Sequence, residues 1–398
     1  MRRWLEAFEE FAIDVILERR YGKRAFALRG FLFALSGLFR IGVQTRLWLF
    51  RNRIFQPHHP ACLVISIGNL TVGGTGKTPV VEKFARTLQD HGRRVAILSR
   101  GYKSKKPPLF RRLQRKWLGL ERRKTRIVHD GQRLLLDSRF AGDEPFMLAK
   151  SLADVIVLVD KDRVRAAKHA IREMKCDTLI LDDGMQYLHL KHRLEICLID
   201  AQAPFGNEYL LPRGTLREPP PNLRRANYIF ITKTPAKGND LLIERIREYN
   251  RTAEIVECRH QPLYLRNLYD PNDRKPLDDL RGKYIAALSG IARPESFEQS
   301  LVALGANLEI TKSFADHHRF TDRELQEFAG RCARRDLDFI VTTEKDSVRF
   351  PANIVGLETP VYYLRVEIEI LTGHESWESL VQRLCQPGDL MVPERFFS

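Results

Sequence analysis

A glycine-rich segment at residues 68–79, GNLTVGGTGKTP, constrains this chain more than any other stretch. The apolar run before it, at residues 62–67, has the length and β-branched content of a buried strand, and we expect Gly68 and Asn69 to end that strand. After the segment, apolar residues recur at helical spacing, at Val81, Phe84, Ala85 and Leu88. A strand, a glycine-rich turn and a helix in this order predict a phosphate-binding loop.

The residue types of this loop suit phosphate and magnesium. Glycines let successive backbone N–H groups converge on phosphate oxygens at the positive end of the following helix. Lys77 is expected to reach the β- and γ-phosphates of a nucleotide, and the Thr78 hydroxyl to ligate Mg²⁺. The predicted cofactor-binding residues are Thr71, Val72, Gly73, Gly74, Thr75, Gly76, Lys77 and Thr78. Because Thr71 stands where the usual pattern has glycine, a turn that binds nothing remains the alternative.

Composition bounds the class of protein and its partners. The chain has 398 residues, 43% of them hydrophobic, which describes a soluble body with room for two domains. Its 66 Lys and Arg against 50 Asp and Glu give a net charge of +16, so we expect an anionic partner such as nucleic acid, acidic lipid or a phosphorylated substrate. The six cysteines are scattered without a C-x-x-C pair, which favours reduced thiols and argues against a zinc site.

The N-terminal residues 1–58 differ from the rest in mixing aromatic, leucine and arginine residues. Their apolar core at residues 31–39 lies between Arg29 and Arg40 and is shorter than the roughly 18 residues needed to cross a bilayer. No small-residue cleavage site follows, so a signal peptide is not expected. We expect a membrane-association segment with a helix lying in the membrane interface, or alternatively an amphipathic helix packed on the protein.

Beyond the loop, strand and helix patterns alternate, which predicts an α/β fold with a P-loop NTPase-type parallel sheet and flanking helices. Prolines and glycines cluster between about 255 and 283. We therefore expect a kinase-like core at 59–260 and a smaller C-terminal α/β domain at 261–398. A basic stretch at about 103–126 is expected to interrupt the core as an insertion, either solvated or lying against an acidic surface.

Polar residues that follow predicted strands are candidates for the site. Asp182 and Asp183 end a buried strand, where P-loop proteins hold a carboxylate near magnesium; an acidic turn is the alternative. A second strand ends in three candidates for substrate contact, Ser99, Arg100 and Tyr102. Arg100 is equally compatible with a solvated surface charge.

Further candidates for chemistry lie elsewhere in the chain. Asp143 and Glu144 precede a proline at a loop-to-helix junction, which suits a helix cap but also a carboxylate that accepts a proton from an alcohol. His317 is a candidate partner for an acid, or a structural histidine. Arg213 and Arg217 are candidates to neutralise a transferred phosphate, or solvated loop residues.

Several short segments, taken in order, resemble the tetraacyldisaccharide 4′-kinase family of Gram-negative lipid A biosynthesis. They are SIGNLTVGGTGKTP at Ser66, SRGY at Ser99, GDEP at Gly142, DDGMQ at Asp182, LLPRGTLREP at Leu210, SGIARP at Ser289, DHH at Asp316 and TTEKD at Thr342. The resemblance implies transfer of the γ-phosphate of ATP, with Mg²⁺, to the 4′-hydroxyl of a tetraacylated glucosamine disaccharide 1-phosphate, forming lipid IVA. It also implies a glycolipid substrate, the cytoplasmic face of the bacterial inner membrane, and neither a nucleic acid nor an obligate protein partner.

The resemblance further implies roles at matching positions. Asp143 corresponds to a base that His317 assists. The resemblance places Asp182, Asp183 and Glu218 in the Mg-ATP region, so the predicted metal-site residues are these three and Thr78 of the loop. It places Arg100, Gln186 and Arg217 in the site, and with Ser99 and Tyr102 they are the predicted substrate residues. The sequence departs from the family pattern in the basic stretch at about 103–126, and in Met185, which stands where an aromatic residue is common.

Two other classes of protein share some of these features. Membrane-associated partitioning-type ATPases carry GG-x-GKT with an amphipathic helix, but they place a second lysine directly before the two glycines, where this chain has Val72. A nucleic-acid-binding NTPase would suit the positive charge, but no nucleic-acid module accompanies the basic stretch.

Overall fold

The computed structural model describes residues 11–101, 125–235, 238–354 and 356–386. Its strands are β1 (Leu63–Asn69), β2 (Val95–Ser99), β3 (Arg126–Asp130), β4 (Ile156–Val159), β5 (Thr178–Asp182), β6 (Leu194–Asp200), β7 (Tyr228–Thr232), β8 (Glu254–Asn267), β9 (Arg274–Pro276), β10 (Tyr284–Ser289), β11 (Asn307–Ser313), β12 (Phe339–Thr343) and β13 (Val361–Thr372). Its α-helices are α1 (Lys23–Arg51), α2 (Lys77–Asp90), α3 (Ser138–Ala141), α4 (Asp143–Ser151), α5 (Arg163–Arg172), α6 (Asp240–Tyr249), α7 (Pro294–Ala303), α8 (Asp322–Ala333), α9 (Glu344–Ser347) and α10 (His374–Cys385). The predicted basic stretch lies almost wholly outside these residues, as does Tyr102.

These strands form a single mixed sheet of 13 strands with two parallel blocks. One block runs β4-β2-β5-β1-β6-β7 and continues into the start of β8, and the other runs β11-β10-β12-β13. The antiparallel pair β13 and β8 joins them, and β3 and β9 add antiparallel edges. The α/β class is as expected, but the sheet is mixed because its second block runs against the first.

The long strand β8 crosses the place where a domain boundary is predicted. Its first residues pair with β7 in one block, and the rest pair with β13 in the other. Because β8 extends through this Pro-containing segment, its main-chain hydrogen bonds connect the two blocks of the sheet. The division into units at 59–260 and 261–398 stays a prediction.

Both faces of the first block are covered by helices, which is why its strands are almost wholly apolar. Leu63, Ile65 and Ile67 of β1 join a core cluster that includes residues of α2, α4 and α10. Val64, which points to the other face, joins a cluster that includes residues of α5. The short apolar runs of the sequence therefore mark strands buried on two sides.

The strand β1 continues through Gly68 and ends at Asn69, so the prediction that Gly68 already breaks the strand is wrong. Gly68 is required for close packing rather than for a turn. A Cβ there would lie 2.6 Å from the Met185 Cβ and 2.7 Å from the Met185 backbone nitrogen. The chain turns only after Asn69, whose side-chain amide donates to the Thr71 carbonyl at 2.8 Å.

We expect Gly68→Ala to destabilise the protein by about 1–3 kcal/mol, because the new methyl group overlaps a buried backbone that cannot move freely. Urea unfolding measures the change in the free energy of unfolding. Gly74→Ala is the matched control, since a Cβ at Gly74 would meet nothing within 4 Å. Equal unfolding free energies for the two variants would contradict the packing role of Gly68.

The N-terminal apolar stretch belongs to α1, a helix of 29 residues. An 18-residue window of this helix has a mean hydropathy of 1.5 with at most two charged residues, and 6% of that window is buried. By length and composition the helix can therefore cross a membrane. The expectation that it is too short is wrong, because Arg29 and Arg40 do not bound the apolar helix.

One side of α1 packs on the protein close to the first block. The Ser36 hydroxyl donates to the Leu210 carbonyl at 2.8 Å, and the Arg46 guanidinium donates to the Gln186 carbonyl at 2.9 Å. Arg213 is buried here and pairs with Glu18 at 2.6 Å, so it supports the N-terminal segment rather than a phosphate site. The large apolar residues left exposed on α1 are Phe26, Phe31, Phe33, Leu38, Ile41 and Trp48.

Candidate functional site

The glycine loop between β1 and α2 presents an open backbone. Gly76 precedes the helix in a left-handed conformation with φ of +76°, and a Cβ there would lie 2.8 Å from the His260 ring. A Cβ at Gly73 or Gly74 would meet nothing within 4 Å. The first N–H groups of α2 have no partner within the helix and point toward this open side. The loop thus has the shape and polarity that the sequence predicts for binding phosphate.

Lys77 and Arg217 converge on one carboxylate beside the loop. The Lys77 ammonium donates to the Asn69 side-chain oxygen at 3.1 Å and lies 3.4 Å from the Asp183 Oδ1. Arg217 donates two hydrogen bonds of 2.8 Å to Asp183 and a further one to the Asn69 side chain. Burial opposes ionisation of Asp183, but Arg217 and Lys77 outweigh it and lower the pKa of Asp183.

Asp182, at the end of β5, has surroundings that raise its pKa, in contrast to those of Asp183. The Ser99 hydroxyl donates to its Oδ2 at 2.9 Å, while its Oδ1 is buried and has no hydrogen-bond partner among the described residues. Burial, followed by the charges of Glu144 and Asp183, raises the pKa of Asp182. A buried carboxylate oxygen without a partner calls for a cation or a proton.

These residues fit a magnesium ion that is held jointly with phosphate. The described residues contain no group of three His, Cys, Asp or Glu side chains that would hold a metal ion alone. Mg²⁺ usually takes one or two carboxylates and completes its shell with phosphate oxygens and water. Beside the loop, the Asp182 Oδ1 and the oxygen of the buried Thr78 hydroxyl are available as ligands to such an ion.

Gln186 links Glu218 to the same cluster. Its side-chain amide donates to the Asn69 carbonyl and to Glu218 Oε1, both at 3.1 Å. The other Glu218 oxygen accepts from Asn222 at 2.8 Å and from Arg225 at 2.7 Å. Both oxygens of Glu218 are therefore engaged, and its role as a metal ligand stays a prediction.

The remaining substrate candidates differ in where they lie. Ser99 is buried against Asp182, and Gln186 and Arg217 lie within the cluster described above. Arg100 is exposed directly beyond β2, as its alternative interpretation allowed. Tyr102 falls outside the described residues.

A second cluster surrounds Asp143 at the start of α4. His317 Nδ1 lies 3.0 Å from the Asp143 Oδ2, which confirms that the histidine contacts an acid. Arg349 donates to the same oxygen at 2.9 Å, and Arg319 donates to the Oδ1 at 3.0 Å. Burial alone would raise the pKa of Asp143, but the hydrogen bond with His317 and the two arginines prevail and lower it.

Arg349 is fully buried and anchors this cluster to the second block. It donates to Asp346 at 2.8 Å and to the Gly290 carbonyl at 2.9 Å. Sequence reasoning missed both Arg349 and Arg319. Arg319 directly follows the DHH segment, and Arg349 follows Asp346 by three residues, just beyond α9. These positions are the only sequence signals that point to the two arginines.

The helices at which the two clusters begin share one core, since α2 begins at Lys77 and α4 begins at Asp143. Asp143 and Glu144 share the first turn of α4, and the charge of Glu144 contributes to the raised pKa of Asp182 in the other cluster. The phosphate-binding loop with its basic side chain and the carboxylate–histidine pair therefore border helices of the same core. This fold and site define an α/β protein of the P-loop class, arranged for phosphoryl transfer.

Comparisons with known proteins identify the family. A family model described as tetraacyldisaccharide-1-P 4′-kinase matches residues 28–386. The chain is 39% identical over 345 residues to the tetraacyldisaccharide 4′-kinase of Anaeromyxobacter dehalogenans (strain 2CP-C), covering 86% of each protein. It is 36% identical over 379 residues to that of Syntrophus aciditrophicus (strain SB), covering 93% of this chain and 96% of the relative.

A solved structure agrees with this assignment. The crystal structure of LpxK from Aquifex aeolicus in complex with ATP is similar with a TM-score of 0.69 and 27% identity, over 90% of this chain and 100% of that chain. The chain therefore belongs to the tetraacyldisaccharide 4′-kinase family. These comparisons do not favour a partitioning-type ATPase.

Proposed function

We propose that this chain transfers the γ-phosphate of ATP to the 4′-hydroxyl of a tetraacyldisaccharide 1-phosphate. The observation that carries the proposal is the family match over residues 28–386. The site supplies the parts that such a transfer needs, namely a phosphate-binding loop, basic side chains beside it and a carboxylate–histidine pair.

In this proposal the glycine loop and Lys77 bind the phosphates of ATP. Lys77 leaves Asn69 and Asp183 for the β- and γ-phosphates, while Arg217 keeps its two hydrogen bonds to Asp183. Asp182 and Thr78 would hold Mg²⁺, which would supply positive charge to offset that of the phosphates. Ser99 fixes the Asp182 carboxylate through its Oδ2, which leaves the Oδ1 as the oxygen that would be available to the ion.

The Asp143 and His317 pair is proposed to take the proton of the attacking hydroxyl. Asp143 accepts hydrogen bonds from Arg319 and Arg349, so it stays ionised and is better suited to orient His317 than to act alone. An imidazole held by a carboxylate is an effective proton acceptor near neutral pH. In this proposal the base is therefore the pair of Asp143 and His317, and not Asp143 alone.

Transfer of label from ATP to lipid tests the proposal. The purified chain, Mg²⁺, ATP labelled at the γ-phosphate and a purified tetraacyldisaccharide 1-phosphate should yield labelled glycolipid, and a chelator should abolish it. Release of labelled inorganic phosphate without labelled lipid would instead support an ATPase switch and contradict the kinase.

We also propose that the chain acts at the cytoplasmic face of the inner membrane, with α1 as its contact. The acceptor is a lipid, and α1 carries exposed apolar residues while its other side packs near Gln186 of the candidate site. Such a helix brings the site to the membrane surface, where the headgroup of the acceptor lies.

Replacing Phe31, Leu38 and Ile41 with Gln should weaken binding to zwitterionic vesicles at least a hundredfold. Each of these side chains contributes about 1.5–3 kcal/mol when fully buried in an apolar phase, and all three are exposed in the protein itself. Thermal melting should be unchanged. Leu241, Tyr284 and Val302 are also large, exposed and mainly apolar but lie elsewhere, so their replacement with Gln is the control. Unaltered vesicle binding of the α1 variant would refute the contact.

A further inference from the structure

A polar cavity of about 260 Å³ lies beside α4, away from the glycine loop. Residues of α2, α4, α9 and of the strands β8, β9 and β13 line it, so both blocks of the sheet contribute. Nothing in the function proposed above uses this cavity. We refer to it as the α4 cavity.

Positive charge dominates the α4 cavity. Five cationic residues line it against two carboxylates, the cations being Arg86, Lys150, Arg266, Arg274 and Arg365 and the acids Glu344 and Glu367. Two of the cations already have acidic partners. Arg365 pairs with Glu82 and with Glu344, the latter at 2.6 Å, and Arg86 pairs with Glu82 at 2.6 Å.

Three cations of the α4 cavity form no ion pair among the described residues. Lys150, Arg266 and Arg274 form no ion pair with a carboxylate anywhere in the part of the chain that the structure describes. Desolvation and then the nearby charge of Arg266 lower the pKa of Lys150, and the charge of Glu344 offsets them only in part. Aromatic rings support two of them, since Lys150 lies 5.9 Å from the Tyr363 ring centre and Arg274 lies 5.2 Å from that of Tyr264.

We infer that the α4 cavity binds a phosphate group, through Lys150, Arg266 and Arg274. A phosphate dianion carries two negative charges and three acceptor oxygens. It therefore suits three separate cationic side chains better than a single carboxylate group would. Arginines with planar donor groups are well suited to phosphate oxygens. The volume accommodates a phosphate or the phosphorylated end of a sugar, but it is smaller than a typical pocket for a whole cofactor.

The position of the α4 cavity connects it to the candidate site. Lys150 follows Asp143 by seven residues on the same helix, which at 1.5 Å per residue is a distance of about 10 Å. The cavity residues Ser347 and Val348 directly precede Arg349, which binds Asp143. The bound phosphate has one of two sources. It is either a phosphate group of the acceptor whose hydroxyl lies at Asp143, or free inorganic phosphate. The first source rests on the proposed function, and the second does not.

Binding of inorganic phosphate tests the site without any catalysis. The chain is first saturated with Mg²⁺ and a non-hydrolysable ATP analogue, so that the glycine loop is occupied, and phosphate binding is then titrated by calorimetry. Replacing Lys150, Arg266 and Arg274 with Gln should weaken the remaining phosphate binding at least tenfold. The control replaces three exposed cations outside the cavity with Gln, namely Arg281, Arg323 and Arg335, and should leave it unchanged. Where the triple variant fails to fold, Arg266→Gln alone is compared with Arg266→Lys, which should retain binding.

Kinetics with two acceptors distinguish the sources. If the acceptor supplies the phosphate, the triple variant raises KM at least tenfold for the disaccharide 1-phosphate and leaves KM unchanged for the same lipid without its 1-phosphate. If the phosphate is free, KM for both acceptors is unchanged while phosphate affinity is lost. Equal phosphate affinity and equal KM values in the cavity variant and the control variant would overturn the inference. The titration yields a result even if the chain proves inactive as a kinase.

Discussion

Lys77→Ala should lower kcat/KM for phosphate transfer at least a hundredfold while the protein stays folded. The lost ammonium group stabilises charge on the transferring phosphate, an effect of about 3 kcal/mol or more in comparable sites. Folding should be spared, because Asp183 keeps its two hydrogen bonds to Arg217 when Lys77 is removed. Initial rates with labelled ATP and a thermal melt measure the two effects separately.

Lys83→Ala is the matched control for this prediction. Lys83 lies on the same helix α2, but its ammonium group lies 5.8 Å from the Trp377 ring centre rather than at the glycine loop. It should retain near-normal turnover. Near-normal turnover of Lys77→Ala would show that the loop does not bind the transferred phosphate.

Asp143→Asn should lower kcat by a factor of about 10² to 10⁴, with KM for ATP little changed. The amide cannot hold His317 and the two arginines as the carboxylate does, so the imidazole loses its orientation and its charge partner. Because the pKa of Asp143 is lowered, the carboxylate is ionised throughout the neutral range. Steady-state kinetics against acceptor and ATP separate kcat from the two KM values.

Asp143→Asn also removes one acidic partner of the buried Arg349, so its effect on folding stability must be measured separately from its effect on kcat. His317→Gln keeps the ion pairs of Asp143 with both arginines and should show a similar loss of kcat. Asp278→Asn replaces an exposed aspartate on the second block and should change neither kcat nor the melting temperature. Full activity of a folded His317→Gln protein would remove the pair from the mechanism.

The sequence predicted those parts of the site that are local in the chain. The glycine loop, the strand that ends at Asp182 and the helix that starts at Asp143 depend on patterns of a few residues, and the structure has all three. Periodicity reveals such elements because burial on one or two faces fixes the residue type at each position. The sequence pattern also began the turn after β1 too early, because Gly68 was interpreted as a turn residue although it lies in the strand against Met185.

The parts that sequence could not predict depend on distant contacts. Asp143 meets Arg319 and Arg349 across separations of 176 and 206 residues, and only the path of the sheet brings them together. The joining of two parallel blocks through β8 and β13 is hidden for the same reason, because an antiparallel pair between remote strands leaves no local signal. The resemblance to a known family supplied His317 as a partner, which residue patterns alone left open.

The most direct test of the central proposal locates the phosphate on the product. The chain is incubated with ATP, Mg²⁺ and purified tetraacyldisaccharide 1-phosphate, and the lipid product is examined by phosphorus–proton correlation NMR. We predict a second phosphomonoester coupled to the proton on carbon 4′, absent when Lys77→Ala replaces the natural chain. A new phosphate on any other carbon, or consumption of ATP without a second phosphate on the lipid, would contradict the proposed function.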